Sequence, residues 1–287
     1  MKDLSILIVN YNSGELTNNC IDSIKKTVKR TNYEIIVVDN ASPDKSGKII
    51  KTGENIKLIE LDKNIGFSGG NNVAIKHATG KYILLLNPDT IVLDNTIDEI
   101  FNFYEENNQK IGAIGCKLIN LNGDLDKGCK RSFPTITSSI CHFTKLDKIF
   151  PSNKVCGAYN LTYIDEDTQT LVECISGAFM FMKREVIDKV GLLDERYFMH
   201  AEDIDLCFRI IEAGYNILYY PKVKTIHLKG QSSKTNSNFV VNHFFNSMWL
   251  FYEKHYYNKK NKVSNYLAKI GILSIKKIIL LKNIIIK

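Results

Sequence analysis

The stretch YILLLNPDT, residues 82–90, constrains the fold more than any other part of the chain. The aliphatic residues that follow Tyr82 show no alternation, which is typical of a strand buried on both faces of a parallel sheet. The strand should end at Asn87, because Pro88 cannot donate to a strand ladder. Asp89 would then lie at the carboxyl edge of a central strand, where open α/β sheets bind ligands. Taken alone, Asp89 could equally be a turn former or helix cap.

Residues 1–90 alternate between strand and helix patterns. Buried strands are predicted at 4–9, 34–38, 56–60 and 82–86, with helices over 16–28 and 64–79 and a further helical pattern from Asp94. This alternation predicts a parallel sheet with right-handed crossovers. Polar groups follow three of these strands, at 10–12, 39–40 and 87–89. Because they share one edge of the sheet, the ligand-binding interpretation of Asp89 gains weight.

Glycine placement argues against a dinucleotide site of the Rossmann type. No Gly-x-Gly-x-x-Gly follows the first strand, where that fingerprint belongs. Gly66, Gly69 and Gly70 instead follow the third strand, where they would let the backbone approach a phosphate at a helix N-terminus. A simple turn is the alternative interpretation.

Composition and charge narrow the class of protein. The 287 residues are 44% hydrophobic and 24% charged, as expected for a globular α/β protein. We expect neither a signal peptide nor a membrane span, since no apolar run is long enough. Seven cysteines without a Cys-x-x-Cys pair indicate neither a disulfide framework nor a zinc site, which favours a reducing cytoplasm. The segment from Lys254 to Lys287 contains nine lysines and no acidic residue. Its positive charge is larger than the net charge of +7 of the whole chain, so the tail is basic and the body slightly acidic.

Several sequence blocks, in consistent order, resemble the inverting family 2 glycosyltransferases of the GT-A fold, in particular their bacterial rhamnosyltransferase-like branch. These blocks are NYN at 10–12, VVDNAS at 37–42, NIGFSGGNN at 64–72, LLLNPDT at 84–90, SGAFM at 176–180, FMHAEDIDLC at 198–207 and HLKGQSS at 227–233. The resemblance implies a Rossmann-like, mostly parallel sheet flanked by helices over residues 1–235. Residues 1–120 would bind the nucleotide sugar and 121–235 would form the acceptor and catalytic half. Residues 236–287 would add a helical, basic extension.

The resemblance implies a divalent metal at the edge of the sheet. The family's Asp-x-Asp motif reads Asn87-Pro88-Asp89 here, so the first carboxylate is missing. Asp89 would be a metal ligand, Asn87 would bond the ribose, and His227 would add a second ligand for Mn²⁺ or Mg²⁺. The alternative for His227 is a capped or core histidine. A site with one carboxylate should bind metal weakly until the donor's phosphates complete the shell.

Nucleotide recognition would use the polar strand ends. Asp39 would accept the N3–H of uracil or thymine, and a loop cap after its strand is the alternative. The resemblance assigns the remaining nucleotide-binding positions to Asn10, Tyr11, Asn12, Asn40, Asn64, Gly70 and Asn71.

Glu202 and Asp203 open an amphipathic helix. Acidic residues favour helix N-termini, so dipole complementarity is one interpretation. The resemblance implies a second: Asp203 as the general base that takes the proton from the acceptor hydroxyl, with Glu202 as the alternate. Asp205 should be structural.

The carboxyl end predicts two helices. An aromatic-rich helix over 239–257 should pack on the catalytic domain, and a hinge over 259–262 leads to a segment rich in Ile, Leu and Lys. One hypothesis is an interfacial helix on anionic lipid, where polyprenyl-linked acceptors reside, at the inner face of the cytoplasmic membrane. The alternative is packing against the body or a second subunit. Nucleic-acid binding is not expected, because no recognition motif accompanies the charge.

The resemblance implies transfer of a sugar, preferably rhamnose, from a dTDP- or UDP-sugar to a growing bacterial surface polysaccharide or lipid-linked acceptor. Galactofuranosyl or other hexosyl transfer is an alternative. A sugar-nucleotide pyrophosphorylase would need a Gly-rich, basic first loop, which residues 10–12 do not supply. A degenerate nucleotide-sugar-binding or tethering domain is the non-enzymatic alternative, and a homo-oligomer is compatible with the sequence.

Overall fold

The computed structural model describes residues 2–107, 110–228 and 237–285. Within these residues the strands are β1 (Leu4–Asn10), β2 (Tyr33–Asp39), β3 (Ile56–Glu60), β4 (Tyr82–Leu86), β5 (Thr90–Val92), β6 (Ile111–Ile119), β7 (Thr170–Val172), β8 (Phe179–Lys183) and β9 (Asn216–His227). The helices are α1 (Gly14–Thr27), α2 (Gly66–His77), α3 (Thr96–Glu106), α4 (Ile136–Phe143), α5 (Leu146–Ile149), α6 (Arg184–Val190), α7 (Glu202–Glu212), α8 (Ser237–His255) and α9 (Lys262–Ile285).

The first four strands form the parallel sheet that the alternation predicts. β1 pairs in parallel with β2 and β4, and β2 pairs in parallel with β3. All residues of β1 and β4 are buried, in keeping with their unbroken apolar runs. The carboxyl ends of β1, β2 and β4 therefore meet at one edge, as expected from the polar residues that follow them.

The rest of the sheet is mixed and was not foreseen in detail. The described strands follow the order β3-β2-β1-β4-β8-β6-β9-β5, and β7 also pairs with β9. β8 runs antiparallel between β4 and β6, and β5 runs antiparallel to β9. Residues from both predicted halves thus build one continuous sheet, in which Thr90 is paired with His227.

Helix boundaries follow the sequence patterns closely, with two differences. The helix expected from Asp94 begins at Thr96, after Asn95 adopts a left-handed conformation with φ of 60°. The aperiodic stretch after Gly123 contains α4 and α5, where Thr135 and Ser138 form a capping box.

The carboxyl-terminal helices pack against the body and each other. α8 buries Phe245 and Phe251, as its aromatic pattern predicts. α9 runs antiparallel to α8, as two hydrogen bonds between them show. Tyr252 donates to Asn265 at 3.0 Å, and Lys276 donates to Asn246 at 3.1 Å. None of the helices within the described ranges is long and apolar enough to cross a membrane.

Candidate active site

A cavity of about 670 Å³ lies at the carboxyl edge of the sheet, lined by the loops after β1 and β4, His227 at the end of β9, the first turn of α7 and the inner face of α8. Eight of the predicted site residues line it: Tyr11, Asn40, Asn64, Asn87, Asp89, Glu202, Asp203 and His227. Five others lie outside its lining: Asn10, Asn12, Asp39, Gly70 and Asn71.

Strand pairing brings Asp89 and His227 together. Because Thr90 is paired with His227, the residue before β5 comes next to the end of β9. The N–H of Leu228 donates to the Asp89 carbonyl at 2.8 Å, which fixes the two chain segments. As a result, the His227 Nε2 atom lies 3.4 Å from the Asp89 Oδ1 atom, and both side chains are buried.

A residue that sequence reasoning missed, Asp126, orients His227. Its Oδ2 atom lies 2.8 Å from the Nδ1 atom of His227, and its Oδ1 atom accepts from the Gly128 N–H at 3.0 Å. Burial lowers the pKa of His227, but hydrogen bonding and charge from Asp126 and Asp89 outweigh burial and raise that pKa to about 9. The contact with Asp126 fixes the imidazole ring so that its Nε2 atom faces Asp89.

The residues at this edge fit a divalent cation. Asn87 Oδ1 is buried and has no hydrogen-bond partner among the residues the structure describes, and the buried Asp89 Oδ1 has His227 Nε2 3.4 Å away. Buried oxygens without partners are costly unless something else binds them. A carboxylate oxygen and an imidazole nitrogen suit Mn²⁺ or Mg²⁺. In the described part of the chain, no group of three or more His, Cys, Asp or Glu side chains could hold a metal.

Asp203 lies in the first turn of α7 and is held by several donors. Arg131 donates from its guanidinium to Asp203 Oδ2 at 2.5 Å, and the Gly177 N–H donates to the same oxygen at 3.3 Å. The Ile204 N–H donates to Oδ1 at 2.8 Å. Arg131 lies in the stretch after Gly123, where no sequence period pointed to it.

Glu202 precedes Asp203 in the first turn of α7 and has a raised pKa. Its side chain is buried, and its Oε2 atom has no hydrogen-bond partner within the described residues. Burial, followed by the negative charge of Asp203, raises the pKa of Glu202 to about 8. The Glu202 carboxyl therefore stays protonated to a higher pH than an ordinary glutamate does.

Asp39 is packed among polar partners behind the cavity wall. Asn10 Nδ2 and the Ser42 hydroxyl both donate to Asp39 Oδ1 at 2.6 Å. A Cβ added at Gly47 would lie 2.7 Å from the Asp39 carboxylate, so this position leaves no room for a side chain. Asn12 has a φ of 52°, and its N–H donates to the Ser42 hydroxyl at 3.0 Å. Base recognition by Asp39 stays a prediction.

The loop before α2 is organised by Asn40. Asn40 donates to Asn64 Oδ1 at 2.9 Å and accepts from the Ile65 N–H at 2.9 Å. Gly70 faces β1, since a Cβ there would lie 2.8 Å from a Val9 methyl carbon. Asn71 donates to the Phe67 carbonyl at 3.0 Å. Gly70 thus allows α2 to pack on β1, and Asn71 bonds within α2; their predicted contact with the donor is untested.

The far end of the cavity is apolar and aromatic. Its lining there comes from α4 and α8 and the segments beside them: Pro134, Phe143, Tyr159, Phe239, Phe244, Met248 and Phe251. His142 joins this end, and its Nδ1 atom lies 3.0 Å from Asp147. This end differs sharply from the polar edge around Asp89.

The amino-acid sequence of this chain matches a known protein family. Residues 5–191 match the family model described as glycosyl transferase family 2. The chain belongs to this family. It is a glycosyltransferase.

Curated members of the family extend the match. The chain is 28% identical over 231 residues to the low-salt glycan biosynthesis hexosyltransferase Agl10 of Haloferax volcanii, covering 79% of this chain and 67% of the relative. It is 24% identical over 242 residues to the N-acetylglucosaminyl-diphospho-decaprenol L-rhamnosyltransferase of Mycobacterium tuberculosis, covering 80% and 77%. It is 28% identical over 218 residues to the rhamnosyltransferase WbbL of Escherichia coli, covering 72% and 78%.

Solved structures show the GT-A fold. The structure of GalNAc-T7 with UDP, GalNAc and Mn²⁺ aligns with a TM-score of 0.61 at 16% identity, covering 88% of this chain. The aligned part of this chain covers 48% of the GalNAc-T7 chain, which is about half of its length. The mannosyltransferase PcManGT of Pyrobaculum calidifontis, in complex with GDP-Man and Mn²⁺, aligns with a TM-score of 0.58 at 16% identity, covering 95% and 72%.

Proposed function

We propose that this glycosyltransferase moves a hexosyl residue, rhamnose in preference, from a nucleoside diphosphate donor to a surface glycan or lipid-linked acceptor, with inversion and with help from a divalent metal. The names of its relatives support this choice, since two are rhamnosyltransferases and one is a hexosyltransferase. Transfer from a UDP-hexose is the alternative donor chemistry.

The observation that carries the proposal is the distribution of charge around one cavity. Asp89 lines it from the loop after β4, His227 from the end of β9, and Asp203 from the first turn of α7. A metal-ligand pair and a separate carboxylate are the groups that single-displacement glycosyl transfer requires.

Asp89 and His227 would hold the cation, with Asn87 beside them. A bound divalent cation offsets the negative charge that grows on the departing diphosphate. Because the protein offers only these two ligand side chains in the described residues, the donor's phosphate oxygens would complete the coordination. This would couple metal binding to donor binding.

Asp203 would act as the base. It would take the proton from the acceptor hydroxyl as that oxygen bonds the anomeric carbon and the carbon–diphosphate bond breaks. Glu202 suits this role less well, because a pKa of about 8 leaves its carboxyl mostly protonated near neutral pH. A protonated carboxyl cannot accept the proton. Arg131 and the Gly177 N–H would hold the Asp203 carboxylate in place.

The nucleoside would lie near the ends of β1 and β2. Tyr11 and Asn40 line the cavity there, and Asn64 lines it from the loop before α2. Asn10, Asn12 and Asp39 would support this pocket from behind. Base recognition by Asp39 would require it to exchange one of its present hydrogen bonds for the N3–H of the base.

The test is a thermal-shift screen of the whole chain against dTDP, UDP, GDP and CMP, each with and without Mn²⁺. A ligand at about 100 times its Kd adds about 2.7 kcal/mol of stability, which such a screen detects. We expect a Mn²⁺-dependent shift with dTDP or UDP that disappears in Asp89→Ala. Asp94→Ala, an exposed acid just after β5, is the matched control and should keep the shift.

The screen also separates the donor alternatives. A preference for dTDP would support rhamnosyl transfer, and a preference for UDP would support transfer from a UDP-hexose. If no nucleotide shifts the protein with Mn²⁺ present, the proposed donor chemistry is wrong.

A further inference from the structure

The last helix, α9, is apolar on its outward face as well as on its inward one. Its inward face packs on α8 and includes Asn265 and Ala268, which are buried. A second set of large apolar residues points to solvent, each between 42% and 67% exposed. This set, the outward stripe, consists of Tyr266, Leu267, Ile270, Leu273, Ile278 and Leu281.

The outward stripe runs along one side of the helix and is interrupted between Leu273 and Ile278 by the exposed Ser274 and Lys277. Its members recur at intervals of one, three or five residues, and at 100° per residue these intervals keep them on one side. Single exposed apolar residues are ordinary, but a band of this length on one helix indicates a surface that is covered in use.

Positive charge accompanies the stripe. α9 carries Lys262, Lys269, Lys276, Lys277 and Lys282, and it contains no acidic residue. All of these except Lys276 are exposed, and Lys276 is half-buried. An apolar stripe with lysines along its edges, and with Lys277 within it, matches the chemistry of an anionic bilayer surface.

A second exposed apolar patch lies beside the cavity. This mouth patch consists of Ile136, Ile140, Ile149, Phe150 and Val155, each between 41% and 64% exposed. It is accompanied by the exposed lysines at 145, 148 and 154, while the acid of this stretch, Asp147, is buried against His142. Like the outward stripe, the mouth patch combines exposed apolar side chains with exposed lysines.

The helices α4 and α9, which carry parts of the two patches, both approach α8 at Phe245. The Phe245 ring stacks on Phe143 of α4 with centroids 6.0 Å apart, and Phe245 also lines a small cavity with Ile272 and Leu273 of α9. Close by on α8, Phe239 and Phe244 both line the main cavity and are exposed to solvent. The main cavity therefore opens beside them, next to the mouth patch.

We infer that the outward stripe and the mouth patch together dock on an anionic lipid bilayer, with the cavity opening turned toward the lipid. Under the proposed function, an acceptor carried on a lipid would then reach Asp203 directly from the bilayer. The docking itself does not depend on the identity of the donor sugar.

Charge favours lipid over a second copy of the chain as the occupant. In a two-fold dimer the same stripe would face itself, and the lysines of each α9 would meet those of its partner. No acid on α9 could compensate them. An anionic lipid surface supplies the opposite charge along the whole helix.

The test is co-sedimentation of the full chain with vesicles of phosphatidylcholine, with and without phosphatidylglycerol, in the absence of nucleotide. We expect binding to the anionic vesicles that weakens as salt is added. Leu267→Glu with Ile278→Glu should weaken it by at least about tenfold, because two exposed apolar side chains lose their burial in lipid. Ile140→Glu with Ile149→Glu should weaken it as well.

Matched controls make the result decisive. Leu121→Glu with Leu171→Glu changes two residues that are 73% and 54% exposed elsewhere on the body, and should bind like the wild type. Asp89→Ala should also bind normally, which separates this inference from the proposed chemistry. Circular dichroism should show every variant folded.

Three outcomes would overturn the inference. The first is equal sedimentation with and without anionic vesicles. The second is unchanged binding in either pair of glutamate variants. The third is a concentration-dependent dimer that Leu267→Glu with Ile278→Glu dissolves while vesicle binding is absent.

Discussion

The guanidinium of Arg131 donates to the Oδ2 atom of Asp203 at 2.5 Å, and the two side chains are only 12% and 13% exposed. This contact joins the loop before α4 to the first turn of α7. Arginine stays charged throughout the working pH range, so Asp203 faces the cavity beside a fixed positive charge. The same guanidinium also donates to the Ile175 carbonyl at 3.3 Å, which fixes its orientation.

Replacing Asp203 should affect the rate far more than the fold. Asp203→Asn should lower the transfer rate by about 10²–10⁴, because a positioned base is lost. Glu202→Gln should lower it less. Arg131→Lys should keep part of the rate, because it retains the charge but loses the planar donor. The measurement is nucleoside diphosphate release with the selected donor and acceptor. Asp188→Asn, on the exposed side of α6, is the control, and a wild-type rate in Asp203→Asn would exclude it as the base.

Glu202 should make stability depend on pH. Its folded-state pKa is raised from 4.5 to about 8, so between these values the folded chain holds a proton that the unfolded chain has released. The free energy of unfolding should therefore fall as pH rises through this window, by up to about 1.4 kcal/mol per pH unit.

Glu202→Gln should remove that slope. Relative to the wild type, the variant should gain on the order of a few kcal/mol between pH 5 and pH 8. Urea unfolding at several pH values measures this, with the exposed Glu185→Gln on α6 as the control. A stability difference that does not change with pH would contradict the assignment.

Asp126 should govern metal affinity through His227. Asp126→Asn weakens the acceptor that holds His227 Nδ1 and orients Nε2, and loss of such a partner typically costs 10–100-fold in metal affinity. Titration of Mn²⁺ in the presence of the bound nucleotide measures the change. Asp124→Asn, an exposed acid two residues earlier on the same turn, should leave the affinity unchanged. Equal metal affinities in the two variants would show that Asp126 does not influence metal binding.

Asp205 should anchor α8 to α7. It is fully buried and contacts Lys254 and His255 at 2.7 Å and Arg209 at 2.9 Å. Burial raises the pKa of Asp205, but bonds from His255 and Lys254 outweigh it and lower that pKa overall.

Asp205→Asn should therefore cost about 3–5 kcal/mol, because it removes the buried negative charge that Arg209, Lys254 and His255 all contact. The wild type should lose this stabilisation as pH falls through the lowered pKa. Chemical unfolding measures the cost. Glu212→Gln breaks only the exposed pair with Lys259 and should cost at most about 1 kcal/mol. A cost for Asp205→Asn no larger than this control would show that the network does not hold α8.

The sequence by itself determined the parallel sheet and its polar edge. Strand burial and the ends of β1, β2 and β4 are local properties, readable from apolar runs and from residues such as Asn87 and Pro88. Because parallel strands end at the same edge, Asp89 could be placed there without coordinates. The motif blocks likewise indicated the family that the comparison shows.

The tertiary structure decided which polar groups meet. His227 reaches Asp89 only through the antiparallel pairing of β5 with β9, and Arg131 reaches Asp203 across 72 positions of sequence. Asp39 and Asn10 bond each other instead of lining the cavity. The physical reason is that side-chain direction and long-range contacts depend on packing between distant segments, which periodicity along the chain does not encode.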